Sequence, residues 1–370
     1  MSDGRRHIRD EVMGIPSYNS GLTLKEVRER YHPAVIAKLG SNENPLGASG
    51  DVIASQKDLR DLFRLYPDPK GRDLCEAIAN RFGVDASGII LGNGSEDLIA
   101  VVCKAVVRPG DMVTTLYPSF PLHEDYAVLM GGKVERIEIL PDFSIDTAAL
   151  IAAAKRKPRM IMFANPMNPV GTWIGQRDFE RFLDAVDIDT LLVVDEAYAE
   201  YARGEDYPAT LDLLRAGNKS WMLLRTFSKA YGLAGLRIGF GIISSPELVD
   251  FLNRVRTPFN TNAIAQAAAI AALQDEKHIS RTVTLAVSER ARVTAALRQW
   301  GIKVAPSKGN FVFFDCGEDA AAFAETLLMA GVIVKPWRQA GYTTFIRASI
   351  GSIAENDQFL NVLSVNLPKV

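Results

Sequence analysis

A lysine held among apolar neighbours is a latent nucleophile, and Lys229 sits in such a setting: Trp221-Met222-Leu223-Leu224-Arg225-Thr226-Phe227-Ser228-Lys229-Ala230-Tyr231-Gly232. Desolvation, with Arg225 and Arg237 as nearby cations, lowers its pKa from about 10.4 and frees the amine as nucleophile and base. A solvated surface charge is the alternative for any single lysine. Asp195 comes directly after the apolar run 191–194. A carboxylate there needs a cationic partner, and a protonated ring nitrogen would serve; a turn or helix cap is the competing reading. Gly92-Asn93-Gly94-Ser95 precedes an apolar-periodic stretch. It offers a tight turn and exposed N–H groups at a helix N-terminus, which bind anions. Ser95 could equally be an ordinary cap, with Glu96 and Asp97 complementing the helix dipole. The dinucleotide pattern GxGxxG would need glycine at Asp97, and GxxxxGK is absent, so the anion is not part of a nicotinamide dinucleotide or ATP. Arg237 lies in a Gly-rich stretch that can turn it back toward a phosphate, or it forms an ion pair.

The elements that must position these groups are short, nearly continuous apolar runs at 88–91, 112–116, 159–163, 191–194, 221–224 and 238–243. Helical patterns separate them, including 97–107 and 178–186. Such alternation predicts an α/β fold with a parallel sheet covered on both faces. After residue 246 a long helical region (246–300), runs at 310–314, 332–335 and 344–350, and further helices predict a smaller α+β unit. Ligands of open parallel sheets bind outside the carboxyl ends of the strands. The runs lead into GNGSED, YPSF, ANPMNPVG, DEAY and RTFSKAYGLAGLRIG. A phosphate cup, an aromatic residue, an Asn turn, a buried Asp, a Ser-Lys pair and an Arg thus arrive at successive strand ends. Together they supply what pyridoxal 5′-phosphate requires.

Composition excludes several other classes. The 370 residues are 48% hydrophobic and 23% charged, as in soluble globular chains. A net charge of −2 without a basic block gives no support to a nucleic-acid or membrane-surface partner. The Ala-rich run 263–273 is too short to span a bilayer, which takes about 20 residues. The N-terminus lacks the apolar core of a signal peptide, and three scattered cysteines fit a reducing cytoplasm. Four dispersed histidines form no zinc motif, so no metal is expected.

Ser41-Asn42-Glu43-Asn44-Pro45, Tyr66-Pro67-Asp68, GNGSED, NPMNPVG, DEAY, RTFSKAYGLAGLRIGF and FIRASIGS together resemble the histidinol-phosphate aminotransferase family, almost end to end. The resemblance implies fold type I of the pyridoxal-phosphate transferases, with a large domain built on a mainly parallel seven-stranded sheet. It implies a segment 1–47 packed on the small domain, a cofactor-binding domain 48–255, and an inter-domain helix with the small domain at 256–370. It also implies a cytoplasmic homodimer with shared active sites.

Position by position, Lys229 is implied as the Schiff-base lysine, Asp195 as the pyridinium partner, and Asn168 and Tyr198 as partners of the phenolic oxygen. Tyr117 would stack on the ring. Gly94, Ser95, Glu96, Thr226, Ser228 and Arg237 would hold the phosphate, with Tyr66 reaching over from a second subunit. Arg347 would take the donor carboxylate, and Tyr18 and Asn44 would lie at the substrate mouth. The implied reaction moves the amino group of histidinol phosphate to 2-oxoglutarate. Where the family usually reads VIVRP, this chain has Val332-Ile333-Val334-Lys335-Pro336. Lysine keeps the charge of the arginine that helps bind the histidinol phosphate group but loses the bidentate fork; the neighbouring Trp337-Arg338 either compensates or points to an aromatic amino acid as the alternative donor. Threonine-phosphate decarboxylases carry a similar motif set.

Overall fold

The computed structural model describes residues 4–17, 21–56, 59–202, 204 and 206–366. Its strands, in chain order, are β1 (Ala37–Lys38), β2 (Ile89–Gly92), β3 (Met112–Tyr117), β4 (Lys133–Glu138), β5 (Met160–Ala164), β6 (Leu191–Asp195), β7 (Trp221–Thr226), β8 (Gly239–Ile243), β9 (Phe311–Asp315), β10 (Val332–Ile333), β11 (Lys335–Pro336) and β12 (Phe345–Ser349). Strands β2 to β8 form one sheet of seven, in the order β2-β8-β7-β6-β5-β3-β4. Every residue of β2, β5, β6 and β8 is buried, as expected of strands covered on both faces. One apolar core gathers Phe163, Phe179, Phe182 and Phe240 on one side of the sheet; another gathers Leu98, Val101 and Met222 on the other.

Six of the seven strands coincide with the expected apolar runs. The seventh, β4, reads Lys-Val-Glu-Arg-Ile-Glu and lies at the edge, where one partner strand and open solvent permit charge. Strand β8 is antiparallel to both neighbours, β2 and β7. It therefore begins at the edge where the others end, with Gly239 opposite Gly92 and Thr226. That reversal carries Arg237, two residues before β8, to the carboxyl ends of β2 and β7.

The smaller unit holds the antiparallel sheet β11-β12-β9 and the parallel pair β1-β10. Ala37 and Leu39 join its core with Leu297, Phe314, Leu327 and Phe359. The expected helical region resolves into Pro246–Val255, Ala263–Gln274 and Glu276–Gln299. Helix Ala263–Gln274 packs on helices Gly50–Ser55 and Arg72–Phe82, and its Ala265, Ala268, Ala269 and Ala272 belong to the large core. Small alanine faces let this helix lie close to both neighbours.

Gly232 closes the lysine loop, its N–H donating to the Lys229 carbonyl at 3.0 Å. Its φ is +73°, and a Cβ there would lie 2.0 Å from the Gly47 carbonyl oxygen. Backbone meets backbone at this point, so neither side can yield cheaply. Gly232→Ala is expected to lower unfolding stability by about 1–3 kcal/mol. Denaturant midpoints of the two proteins check this, and coincident curves would refute the tight crossing.

Candidate active site

A cavity of about 780 Å³ opens at the carboxyl edge of the large sheet, between it and the smaller unit. That size lies within the range of small-molecule sites, roughly 300–1,000 Å³. Gly94, Ser95, Glu96, Asn168, Asp195, Tyr198, Thr226, Ser228, Lys229, Arg237, Lys335, Arg338 and Arg347 all line it. Residues from five strand ends and from the smaller unit therefore meet as their sequence order suggested.

One end is built for an anion. Helix Ser95–Val106 starts there, preceded by Gly94 at φ +84°. A Cβ on Gly94 would fall 2.6 Å from Arg237 Nη2, and one on Gly239 would fall 2.5 Å from the Ser95 nitrogen. Glycine at both positions lets the helix N-terminus and a guanidinium converge. Arg237 Nη1 donates to Ser228 Oγ at 3.4 Å, and the Ser228 N–H donates to Thr226 Oγ1 at 3.1 Å. Amide groups, hydroxyls and a guanidinium around one hollow are the donor set that a phosphate ester takes.

Lys229 lies beyond it. Its Nζ is 3.0 Å from the Ser41 carbonyl oxygen, to which it donates, and 5.8 Å from the centre of the Tyr198 ring. Burial, then the positive charge of Arg347, with a lesser push from Arg237, lowers its pKa to about 7; Glu43 and Asp195 oppose this more weakly. Asp195 is buried at the end of β6, where Oδ1 accepts from the Ala197 N–H at 3.0 Å and Oδ2 lies 3.2 Å from Nε2 of buried His123. Its carboxylate is thus fixed on both oxygens and still faces the cavity. The Tyr198 hydroxyl accepts from Asn42 Nδ2 at 3.0 Å, and its ring stands edge-on to Phe311. Arg347 donates through Nη1 to Asn168 Oδ1 at 2.8 Å and through Nη2 to the Gly40 carbonyl at 2.7 Å. Lys335 is its register partner on β11, and burial with Arg347 and Arg338 nearby lowers the Lys335 pKa to about 8.

Three expected residues stand elsewhere. Tyr117 is not on the cavity wall: its hydroxyl donates to the Ala340 carbonyl at 2.9 Å and Arg136 lies over its ring. Phe120 occupies the wall instead, edge-on to His123. Asn44 is spent on structure, donating to the Ala230 carbonyl and Thr282 Oγ1 while accepting from the Leu46 N–H. Tyr66 stacks on Phe259 with centroids 4.7 Å apart and is 81% exposed, away from its own chain's cavity. Tyr18 lies outside the described residues. Sequence reasoning missed His123, Phe120 and the lining residues 14–17. Phe120 had a legible signal, the second aromatic of Tyr-Pro-Ser-Phe, whereas His123 is 72 positions from Asp195 and had none.

The family profile described as aminotransferase class I and II matches residues 34–363. Histidinol-phosphate aminotransferase 1 of Mesorhizobium japonicum is 57% identical over 364 residues, covering 98% of this chain and 99% of that one. Histidinol-phosphate aminotransferase 3 of Rhizobium meliloti is 58% identical over 358 residues, covering 97% of each. The crystal structure of histidinol-phosphate aminotransferase from Sinorhizobium meliloti, in complex with pyridoxal-5′-phosphate, superposes with a TM-score of 0.85 at 29% identity, covering 97% of this chain and 98% of that one. The site and fold are those of an aminotransferase. Within that class the chain belongs to the histidinol-phosphate aminotransferase family.

The lowered Lys229 pKa has a measurable consequence for the protein without cofactor. The unfolded chain protonates this amine below about 10.5 and the folded chain only below about 7, so the unfolded state binds more protons between those values. Lys229 therefore costs stability in full below about pH 7, and the cost fades as pH rises toward about 10.5. Lys229→Met should raise the cofactor-free Tm at acidic pH, with the gain shrinking to nothing at high alkaline pH. Thermal melts across pH check this; a pH-independent difference would place the amine in solvent.

Proposed function

We propose that this enzyme transfers the amino group of histidinol phosphate to 2-oxoglutarate, with pyridoxal 5′-phosphate held between Lys229 and the anion cup, in a cytoplasmic homodimer with shared sites. The observation that carries it is the convergence on one cavity of a near-neutral lysine, a fixed carboxylate, a phosphate-shaped donor set and a cluster of cations. The two similar histidinol-phosphate aminotransferases support histidinol phosphate as the donor. The buried, unbridged cysteines support the reducing compartment.

In this reading Ser95, the Glu96 N–H, Thr226, Ser228 and Arg237 bind the phosphate. Asp195, oriented by His123, accepts the pyridine N–H and favours the protonated ring. Tyr198 and Asn168 donate toward the phenolic oxygen, and Phe120, rather than Tyr117, lies against the ring face. Bound pyridoxal phosphate supplies an electron sink for the pair left when the substrate Cα proton departs. Lys229 would take that proton at Nζ and give it back; a pKa near 7 suits both directions of transfer. Arg347 and Lys335 hold the anionic group beside the reacting carbon, a carboxylate in one half-reaction and a phosphate in the other. Trp337 on the same wall favours a second reading, in which an aromatic amino acid is the donor.

A donor panel separates the readings: histidinol phosphate should exceed phenylalanine in kcat/KM by at least about 100-fold, a difference of about 2.7 kcal/mol. A preference for phenylalanine would select the aromatic reading, and carbon dioxide release would select a decarboxylase. Lys229→Ala should retain no turnover, and residual activity near the parent's would refute the assignment. Exposed Tyr66, with Phe63, Leu65 and Phe259 around it, supports an intersubunit role. Mixing Tyr66→Ala with Lys229→Ala subunits should restore activity at one site per mixed dimer. No recovery would count against shared sites.

A further inference from the structure

Arg136, on edge strand β4, has no part in the chemistry above, yet it lines the same cavity. Its Nε and Nη2 both donate to Oε2 of Glu124, at 2.9 and 2.6 Å. Glu124 is itself buried, and its Oε1 accepts from Ser119 Oγ at 2.9 Å. The Tyr117 ring lies 4.7 Å beneath the guanidinium carbon. A buried carboxylate and an aromatic face therefore fix the plane of the guanidinium. The side chain nonetheless stays 53% exposed, and Glu124 uses only two of its five N–H donors. Nη1 makes no hydrogen bond or ion pair among the described residues. Such preorganisation of a charge that keeps a donor exposed on a cavity wall is the form of an anion contact.

The facing wall is tied to the same chain: Gln339 Oε1 accepts from the Ser119 N–H at 3.0 Å and from Trp337 Nε1 at 2.8 Å. Arg347 lines the same cavity from strand β12, tied to Asn168 and near enough to depress Lys229. Arg136 on β4 and Arg347 on β12 are thus two separately anchored cations of one cavity. The phosphorylated donor carries one anionic group, which Arg347 accommodates; a dicarboxylate carries two, some carbons apart. We propose that Arg136 is a specificity residue that binds the second carboxylate of the dicarboxylate substrate while Arg347 binds the first. This rests on the dicarboxylate partner proposed above.

The test compares kcat/KM for glutamate and alanine, followed spectroscopically as single half-reactions of the holoenzyme. The parent is run beside Arg136→Gln and Arg136→Lys. The glutamate-to-alanine ratio should fall about tenfold in Arg136→Gln, as expected for one charge-assisted hydrogen bond. Arg136→Lys, which retains the charge beside Glu124, should recover part of that loss; it also carries the test alone if the glutamine variant does not fold. An unchanged ratio in either folded variant would reduce Arg136 to a scaffold for Glu124 and overturn the proposal. So would a fall confined to histidinol phosphate, which would assign the contact to the phosphate instead. A parent enzyme that uses glutamate and alanine but rejects histidinol phosphate would remove the proposed donor while leaving the Arg136 ratio to be read.

Discussion

The proposed chemistry depends on an amine whose pKa is brought near neutrality beside charged groups. In Lys229 burial and the positive charges of Arg347 and Arg237 outweigh the pull of Glu43 and Asp195. Its hydrogen bond goes to the Ser41 carbonyl, an acceptor that serves a neutral amine as well as an ammonium. A carboxylate in that place would have pinned the charge and removed the nucleophile. Asp195, the carboxylate of the proposed reaction, is held by His123 and the Ala197 N–H instead of pairing directly with the lysine. Acid and base therefore share one cavity without neutralising each other.

Topology makes that separation possible. Five parallel strands deliver polar residues to one edge of the sheet, and the reversed strand β8 adds a chain start at the same edge. A helix N-terminus after β2 and a guanidinium before β8 meet because Gly94 and Gly239 leave no side chain between them. The anion cup is thus a product of strand direction and two missing Cβ atoms. The smaller unit closes the other side through β11 and β12, whose pairing sets Lys335 opposite Arg347.

Much of this was legible because strand cores and strand-end residues are local signals. Runs such as 159–163 and 191–194 reveal buried strands by continuity, and the polar residues at the end of each run mark the ligand edge. Direction within the sheet was not legible for β8, whose continuous apolar run resembles those of the parallel strands. Edge strand β4 gives no apolar run because four of its six residues are charged. Tyr117 and Phe120 illustrate a different limit. Both belong to one short motif, but the last residue of β3 points toward Ala340 and the wall position falls three residues later. His123 and Arg136 act through partners on other elements, so neither periodicity nor spacing announces them.

The lysine at position 335 acquires meaning in this setting. An arginine there would be charged at every physiological pH and would repel Arg347 and Arg338 whenever the site lacked an anion. Lys335, lowered to about 8 by burial and those same neighbours, holds its charge less firmly than an arginine would. The proposed reaction alternates a carboxylate with a phosphate ester at this end of the cavity, one carrying about a single negative charge and the other nearly two. For the smaller of those charges a cation of lowered pKa is the lesser mismatch. The cost would be geometric, since an ammonium lacks the fork that would orient the phosphate; in the proposed role the guanidinium of Arg347, held by Asn168 and opposite Lys335 in register, would supply that orientation.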